Sequence, residues 1–267
     1  SKISKLKIFI SYENLHSLKK IEVKDLILEN SNFNLNKKNY NFFLELLNKN
    51  YQDGKLIIKN SNIFFNHIED DVLFIIKIFK MKYNYDSKEK KNIFYSENEI
   101  FNIPFSIETF FNKNKSKILS QINFNLMRLK IENELFFDDD KRIGKSELIL
   151  NKSKRIVDYK IEKNSFNFHF FDKIDQPRIT YKGKFNFKPF YASLEGDLNF
   201  IDLDYLLSSN AIILQLLKTE LLNNKNIDFS LKINANNVYN YLDFMNIIFN
   251  SKIKEGLIDA DKTKFQW

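Results

Sequence analysis

Cysteine is absent from the 267 residues, and histidine, glycine and proline are scarce. Without cysteine the chain forms no disulfide, no thiolate metal site and no cysteine nucleophile. The three histidines, His16, His67 and His169, stand far apart in sequence. Five glycines leave no room for a phosphate-binding glycine loop or a flexible linker. We therefore expect no enzyme activity, no catalytic residues, no metal site and no cofactor.

Long apolar runs are also missing. No stretch reaches the roughly 18–20 apolar residues that a membrane-spanning helix needs. The chain opens at Ser1 without a charged-then-apolar leader, and it stops at Trp267 within a strand-like pattern. We expect a segment of a longer protein, so the missing leader carries no information on location.

Positive charge is in excess but is almost entirely lysine. Lys and Arg together number 42 against 34 Asp and Glu, a net charge of +8, and only four of the cations are arginine. With the abundant Asn and Ile, this balance is typical of an AT-rich genome. Excess lysine favours anionic lipid headgroups or nucleic acid. We favour a solvated surface as the explanation of this excess.

Large apolar side chains are plentiful, and their spacing predicts strands. The 28 Phe and 43% hydrophobic content support a sizeable core and exclude intrinsic disorder. Apolar residues alternate with Asn, Lys, Ser and Asp, so each strand has one apolar and one wet face, as in a half-buried antiparallel sheet. The clearest alternating runs are Ile122–Leu126, Phe166–Phe170, Phe185–Phe187 and Ile227–Ala235. The fold class is therefore mainly β.

Two stretches have helical spacing instead. Phe43, Leu46 and Leu47 recur on one stripe within residues 39–50. A second stripe, which includes Leu206 and Ile213, runs through residues 203–222. Both stretches predict short amphipathic helices.

A repeated unit occurs three times, at residues 24–35, 54–65 and 256–267. Counting from Gly54 or Gly256, apolar residues fall at +2 and +4, Ser or Thr at +7, and apolar residues again at +9 and +11. In the first copy, residues 24–35, Lys24 stands at the position of the glycine. The change from even to odd positions predicts a strand whose inward face changes phase once, as a bulge produces. We expect residues 1–267 to form a single elongated, twisted or curved antiparallel sheet extended strand by strand.

The chain resembles bacterial AsmA-like proteins. From Lys24 to Leu135 the resemblance is carried by the repeated strings DLILENSNFNL and GKLIIKNSNIFF, by VLFIIKIFKMKY, and by EIFNIPFSIE around Pro104. Residues 233–267, INANNVYNYLDFMNIIFNSKIKEGLIDADKTKFQW, resemble a later part of the same architecture. These motifs are loose strand patterns and contain no catalytic signature.

The resemblance implies a function at the Gram-negative envelope. AsmA-like proteins are anchored in the inner membrane by an N-terminal helix and project a β-rich body with a groove into the periplasm. They are associated with phospholipid transport between membranes and with outer-membrane biogenesis. The implied partners are phospholipid, the inner membrane through an anchor outside this segment, and other envelope proteins. The sequence departs from the family in lacking the anchor helix.

A sheet curved into an apolar groove would shield lipid acyl chains, with a surface rather than a catalytic triad as its site. The candidate lipid-contacting residues come from the alternating runs. They are Phe124, Leu126, Phe166, Phe168, Phe170, Phe185, Phe187, Phe229 and Leu231.

Two other functions stay open on the sequence. One is a structural or adhesive β-rod, whose apolar face is filled by its own side chains. The other is a basic module that binds single-stranded nucleic acid, since aromatic residues on a sheet can stack bases. Scarce arginine and the absence of a ribonucleoprotein-type string weigh against nucleic acid as a partner.

Overall fold

The computed structural model describes most of the chain. The described residues are 2–10, 23–35, 54–66, 72–86, 88–89, 91–112, 116–138, 141–150, 153–162, 165–171, 180–187, 190–206, 219–220, 224–226 and 228–266. The contacts divide the chain into two compact units, Ser1–Asn125 and Leu126–Trp267. No shift in composition marks that boundary in the sequence.

The first unit is a sheet of seven strands. They are β1 (Lys2–Ile10), β2 (Val23–Leu35), β3 (Lys55–Asn66), β4 (Val72–Asp86), β5 (Lys91–Ile100), β6 (Ile103–Asn112) and β7 (Lys117–Phe124). Each strand is hydrogen-bonded to the next along the chain. Between β4 and β5, Asp86 Oδ1 accepts hydrogen bonds from the backbone N–H groups of Lys88 at 2.9 Å and Glu89 at 3.1 Å.

The second unit is built in the same way from ten strands. They are β8 (Leu129–Asp138), β9 (Lys141–Leu150), β10 (Ser153–Ile161), β11 (Ser165–Phe171), β12 (Thr180–Phe187), β13 (Phe190–Ile201), β14 (Asp228–Val238), β15 (Tyr241–Lys254), β16 (Leu257–Asp259) and β17 (Lys264–Gln266). Neighbours in sequence pair from β8 to β16, and β17 also pairs with β15.

The mainly β class is confirmed, but the prediction of a purely antiparallel sheet is wrong. β2 and β3 are parallel, with Asp25 opposite Lys55. β13 and β14 are also parallel, with Tyr191 opposite Asp228. Alternation reports which face a side chain takes but not the direction of the neighbouring strand, so these two pairs could not be seen in the pattern.

Parallel neighbours require a crossover connection of a dozen or more residues, which is usually helical. The chain between β2 and β3 contains the helix predicted near residues 39–50, and this prediction lies outside the described residues. The chain between β13 and β14 contains the helix predicted near residues 203–222. Of that stretch the structure describes one helical turn, α1 (Leu203–Leu206), and residues 219–220. The two amphipathic helices therefore stay predictions.

The predicted phase change is confirmed in β2 and β3. Leu28 and Ser31 are both buried although they are three residues apart, and Ile58 and Ser61 repeat this pattern. Asn30 and Asn60 supply the extra residue, with φ angles of 53° and 47°. Asn is among the few side chains that tolerate this left-handed conformation. The two strands change phase in register, so their apolar side chains stay on one face.

The hydroxyl of the repeat stabilises the kink. The Ser61 hydroxyl accepts a hydrogen bond from the Ser31 backbone N–H at 3.0 Å and donates to the Lys59 carbonyl at 2.8 Å. The Ser61 hydroxyl thereby provides an acceptor for the Ser31 N–H at the point where the hydrogen-bond ladder between β2 and β3 is interrupted. The pairing of β4 with β5 is interrupted as well, by a register shift next to Phe79.

The third copy of the repeat has a different form. Its two halves are the short strands β16 and β17, which both pair with β15 and are separated by a turn closed by the Thr263 N–H and the Ala260 carbonyl. Thr263 still bonds a neighbouring backbone, since its hydroxyl contacts the Asn250 N–H and carbonyl at 3.2 Å. Ile258 and Phe265 are each 59% exposed, so this copy does not bury its apolar positions.

Each unit has its own apolar cluster. In the first unit Leu28, Phe33, Ile58 and Ile78 pack together on one face of β2, β3 and β4. In the second unit Ile201, Ala235 and Val238 pack together on β13 and β14. This second cluster includes two side chains three residues apart on β14, Ala235 and Val238.

Candidate functional site

Most of the predicted lipid-contacting residues lie on one face of the second unit. Cross-strand partners share a face, and the register defines three rows across β11, β12, β13 and β14. The first row is Phe166, Phe185, Ala192 and Phe229; the second is Phe168, Gly183, Leu194 and Leu231; the third is Phe170, Tyr181, Gly196 and Ile233. We call the face that carries these rows the ring face.

The structure places the remaining three candidates differently. Phe124 ends β7 in the first unit, where its ring centroid lies 5.5 Å from that of Phe105. Leu126 lies in a 3-10 turn, Asn125–Met127, and is 61% exposed. The alternation of Ile122, Phe124 and Leu126 therefore overstates the length of the strand. Phe187 ends β12 opposite Phe190, and its side chain lies outside the described part of the structure.

Three glycines lie beneath aromatic rings of the neighbouring strand. A Cβ placed on Gly183 would lie 2.1 Å from two ring carbons of Phe168. On Gly144 it would lie 2.0 Å from Cζ of Tyr159, and on Gly196 2.7 Å from the Tyr181 ring. Each ring therefore occupies the space that a side chain would take on the adjacent strand. As a result, these rings lie down across the sheet instead of standing away from it.

Tyr159 reaches furthest across the sheet. It crosses β9 at Gly144, and its hydroxyl donates a hydrogen bond to Oδ1 of Asn133 on β8 at 2.6 Å. Ser146 donates to the same oxygen at 2.8 Å. Burial raises the pKa of Tyr159 above its ordinary value, although the contact with Asn133 opposes this change. The neutral hydroxyl therefore persists at physiological pH and holds the ring in place.

The rings form a connected aromatic cluster. The centroid of Phe166 lies 5.0 Å from that of Tyr159 and 6.0 Å from that of Phe185. Phe168 lies 6.1 Å from both Phe166 and Phe185. These separations fall in the range of favourable aromatic pairs. Phe185 is 37% exposed, so the cluster is accessible from above the ring face.

Within each unit, the substantial contacts between described elements are those between neighbouring strands. Among the described residues, no second layer of strands or helices is packed over the ring face. The corresponding apolar face of the first unit carries the buried side chains Leu28, Ile58 and Ile78. The described residues therefore present two apolar faces.

Lysines occupy the opposite, polar faces and are paired with carboxylates. Lys7 Nζ lies 2.9 Å from Glu29, and Lys182 lies 2.8 Å from Glu195. The hydrogen bonds from Lys7 and Lys5 lower the pKa of the Glu29 carboxyl below its usual value. These pairs neutralise much of the local charge. A strand that offers aromatic rings on one face and lysines on the other does not present both to a single-stranded nucleic acid at once.

The described residues contain neither a cluster of metal-ligating side chains nor a helix that could span a membrane. His169 lies on β11 opposite Asp158 and Lys182, on the polar face. No group of three or more His, Asp or Glu there is arranged to hold a metal ion. None of the described helices is long and apolar enough to cross a membrane.

No protein-family model, no curated protein and no solved structure matches the chain. The resemblance to AsmA-like proteins therefore stays a prediction that rests on the strand motifs.

Sequence reasoning missed the residues that shape the ring face. Tyr159 and Tyr181 were not among the candidates, and neither were the glycines beneath the rings. An isolated glycine within a strand pattern signals a close approach by a neighbour, and Gly183 lies within the alternating segment that contains Phe185. Gly183 therefore indicates that a neighbour approaches closely. Only the strand register identifies this neighbour as the Phe168 ring.

Proposed function

We propose that this chain shields lipid acyl chains on its apolar sheet faces, as the periplasmic segment of an AsmA-like protein. In this function it takes part in phospholipid transport between the inner and outer membranes and in outer-membrane biogenesis. The observation that carries the proposal is the ring face, where three rows of apolar side chains cross β11 to β14 with no described layer over them.

The physical basis is the transfer of hydrocarbon out of water. Each methylene buried against the ring face contributes about 0.8 kcal/mol. Reclined rings such as Phe168 offer a broad, flat surface to a chain that lies across them. Because the rows are continuous across β11 to β14, a lipid tail has no single position at which it would be trapped.

The alternative is a structural β-rod that binds no ligand. The rings over Gly144, Gly183 and Gly196 favour it, because the face already uses aromatic side chains to cover gaps in its own sheet. If the chain is such a rod, its apolar faces are covered by contacts among side chains of the same sheet and by neighbouring parts of an envelope protein.

A photo-crosslinking experiment separates the two. A photoreactive amino acid is placed at Phe185 on the ring face or at Lys184, the adjacent residue on the polar face of the same strand. The protein is purified from a Gram-negative host, and bound lipid is measured by native mass spectrometry. We expect phospholipid to co-purify and to crosslink at position 185 but not at 184. A folded, lipid-free protein without crosslinks would refute the proposal and favour the rod.

A further inference from the structure

Charged side chains are nearly absent from the apolar faces, and the exceptions are specific. In the described strands of the first unit, the positions on the apolar face are uncharged apart from Lys24 at the start of β2, where the register with β1 is irregular. On the ring face from β8 to β14, the only charged residues at described strand positions are Arg142 and Arg155. Both are exposed.

The two arginines mark opposite ends of the ring face. Arg142 begins the apolar positions of β9 and is paired with Ile161 on β10. Arg155 lies on β10 itself, paired with Leu148. Ile161 is six residues from Arg155 along β10, which corresponds to about 20 Å at roughly 3.3 Å per residue. The buried side chains Val157 and Tyr159 lie between them.

Arg155 lies next to the third row of the ring face, because Val157, the following position on the same face of β10, is paired with Phe170. Burial raises the pKa of Tyr181, and the positive charge of Arg155 opposes that rise. The Arg155 Nη1 group donates to the Lys154 carbonyl at 3.1 Å. A guanidinium carries five N–H donors, so it can bind a phosphate while it keeps contacts with the protein.

The choice of residue is informative in a chain whose cations are almost all lysine. Only four of 42 cationic residues are arginine, and two of those four are Arg142 and Arg155. Arginine differs from lysine in its planar fork, which binds phosphate oxygens in pairs and is more weakly hydrated, so it tolerates an apolar surrounding better.

We propose that Arg142 and Arg155 bind the phosphate of an anionic phospholipid headgroup, and that the acyl chains run from either arginine along the strands over the ring face. This inference rests on the proposed lipid function and adds the headgroup class and the residues that recognise it. The dimensions are compatible: a bilayer core is about 30 Å thick, so the chains of one leaflet span about 15 Å, within the length between the two arginines.

The test uses the full chain and two lipids with the same acyl chains. Phosphatidylglycerol carries the anionic phosphate, and diacylglycerol lacks it. Binding of each is measured for the unchanged protein, for the Arg142→Gln/Arg155→Gln variant and for Arg128→Gln. Arg128 is an exposed arginine in the turn before β8, with a φ of 48°, and serves as a control for loss of one positive charge.

We expect the unchanged protein to prefer phosphatidylglycerol, and the double variant to lose at least tenfold in affinity for it while its diacylglycerol binding stays the same. Arg128→Gln should keep the preference. Equal binding of both lipids by the unchanged protein, or an unaltered preference in a folded double variant, would overturn the headgroup assignment and leave the acyl-chain function standing. Failure of the folded, unchanged protein to bind either lipid would overturn both.

Discussion

Glycine determines how the aromatic side chains of the second unit lie. An aromatic residue on a strand normally stands away from the sheet, where it would fill the space that a ligand could take. Here Phe168 reclines over Gly183, and Tyr159 reclines over Gly144 and is held by Asn133. The residues that contact a bound chain are aromatic, but the residues that make room for it are the glycines.

Replacing Gly183 by alanine should lift the Phe168 ring from the sheet. The added Cβ would lie 2.1 Å from two ring carbons, so the ring must move. Forced repacking of this kind costs about 1–3 kcal/mol. We expect Gly183→Ala to lower the free energy of unfolding by that amount in urea denaturation, and also to lower lipid retention.

Two further variants check the cause. Phe168→Leu combined with Gly183→Ala removes the clashing ring, so the cost of the alanine should shrink in that background. Lys184→Ala changes the neighbouring residue on the polar face and should alter stability by less than about 0.5 kcal/mol. An equal cost of Gly183→Ala with and without the Phe168 ring would contradict the steric account.

At the scale of elements, each unit contains one parallel pair whose strands change phase in register. In β2 and β3 the change occurs at Asn30 and Asn60. A phase change in one strand alone would send half of its apolar residues to the wet face. Because both strands of the pair change together, the apolar face continues across the kink.

The left-handed conformation of Asn60 makes a direct prediction. A β-branched residue is strongly disfavoured at its φ of 47°, so Asn60→Val should destabilise the protein by about 1–2 kcal/mol. Asn60→Gly should retain stability because glycine adopts positive φ freely. Urea denaturation monitored by circular dichroism measures both changes.

Lys59→Val is the matched control, since Lys59 is also exposed and precedes Asn60 on the same strand. Valine is favoured in extended backbone, so this variant should lack the penalty. If valine were tolerated equally at positions 59 and 60, the kink would not depend on the conformation of Asn60.

The elements that sequence predicts best are those defined by local alternation. The strands around Phe166 to Phe170, and the phase change before Ser31 and Ser61, follow from spacing alone, and the structure confirms them. The parallel pairing of β2 with β3 does not follow, because a strand presents the same alternation to a parallel and to an antiparallel neighbour. Leu126 is a different kind of error, because its apolar side chain continues the alternation although β7 ends at Phe124.

At the scale of the whole molecule, the chain consists of two compact units, each with an apolar cluster of its own. We expect residues 1–125 and residues 126–267, produced separately, each to show a β-type circular dichroism spectrum and a cooperative thermal transition. An unfolded spectrum for either fragment, with the intact chain folded, would contradict this expectation and make the two units interdependent.

The candidate site could be predicted only in part. Alternation predicted Phe166 and Phe168 on the apolar face of one strand and Phe185 on the apolar face of another, and the register of β11 with β12 brings Phe166 opposite Phe185. It did not reveal that Arg142 and Arg155 lie on that same face, because their neighbours in sequence are mostly polar or charged. The pairing of β9 with the strand that follows it, β10, assigns their side, because it sets Arg142 opposite Ile161 and Arg155 opposite Leu148.

The parallel pair β2–β3 has a consequence for how the chain folds. Most neighbouring strands here are joined by short connections and can pair soon after they are synthesised. Asp25, however, can pair with Lys55 only after the thirty residues up to Lys55 have been synthesised. Such delayed pairing raises the contact order and slows folding. During synthesis β2 therefore spends an interval with an unpaired edge, and this edge is where a chaperone would have the most to protect.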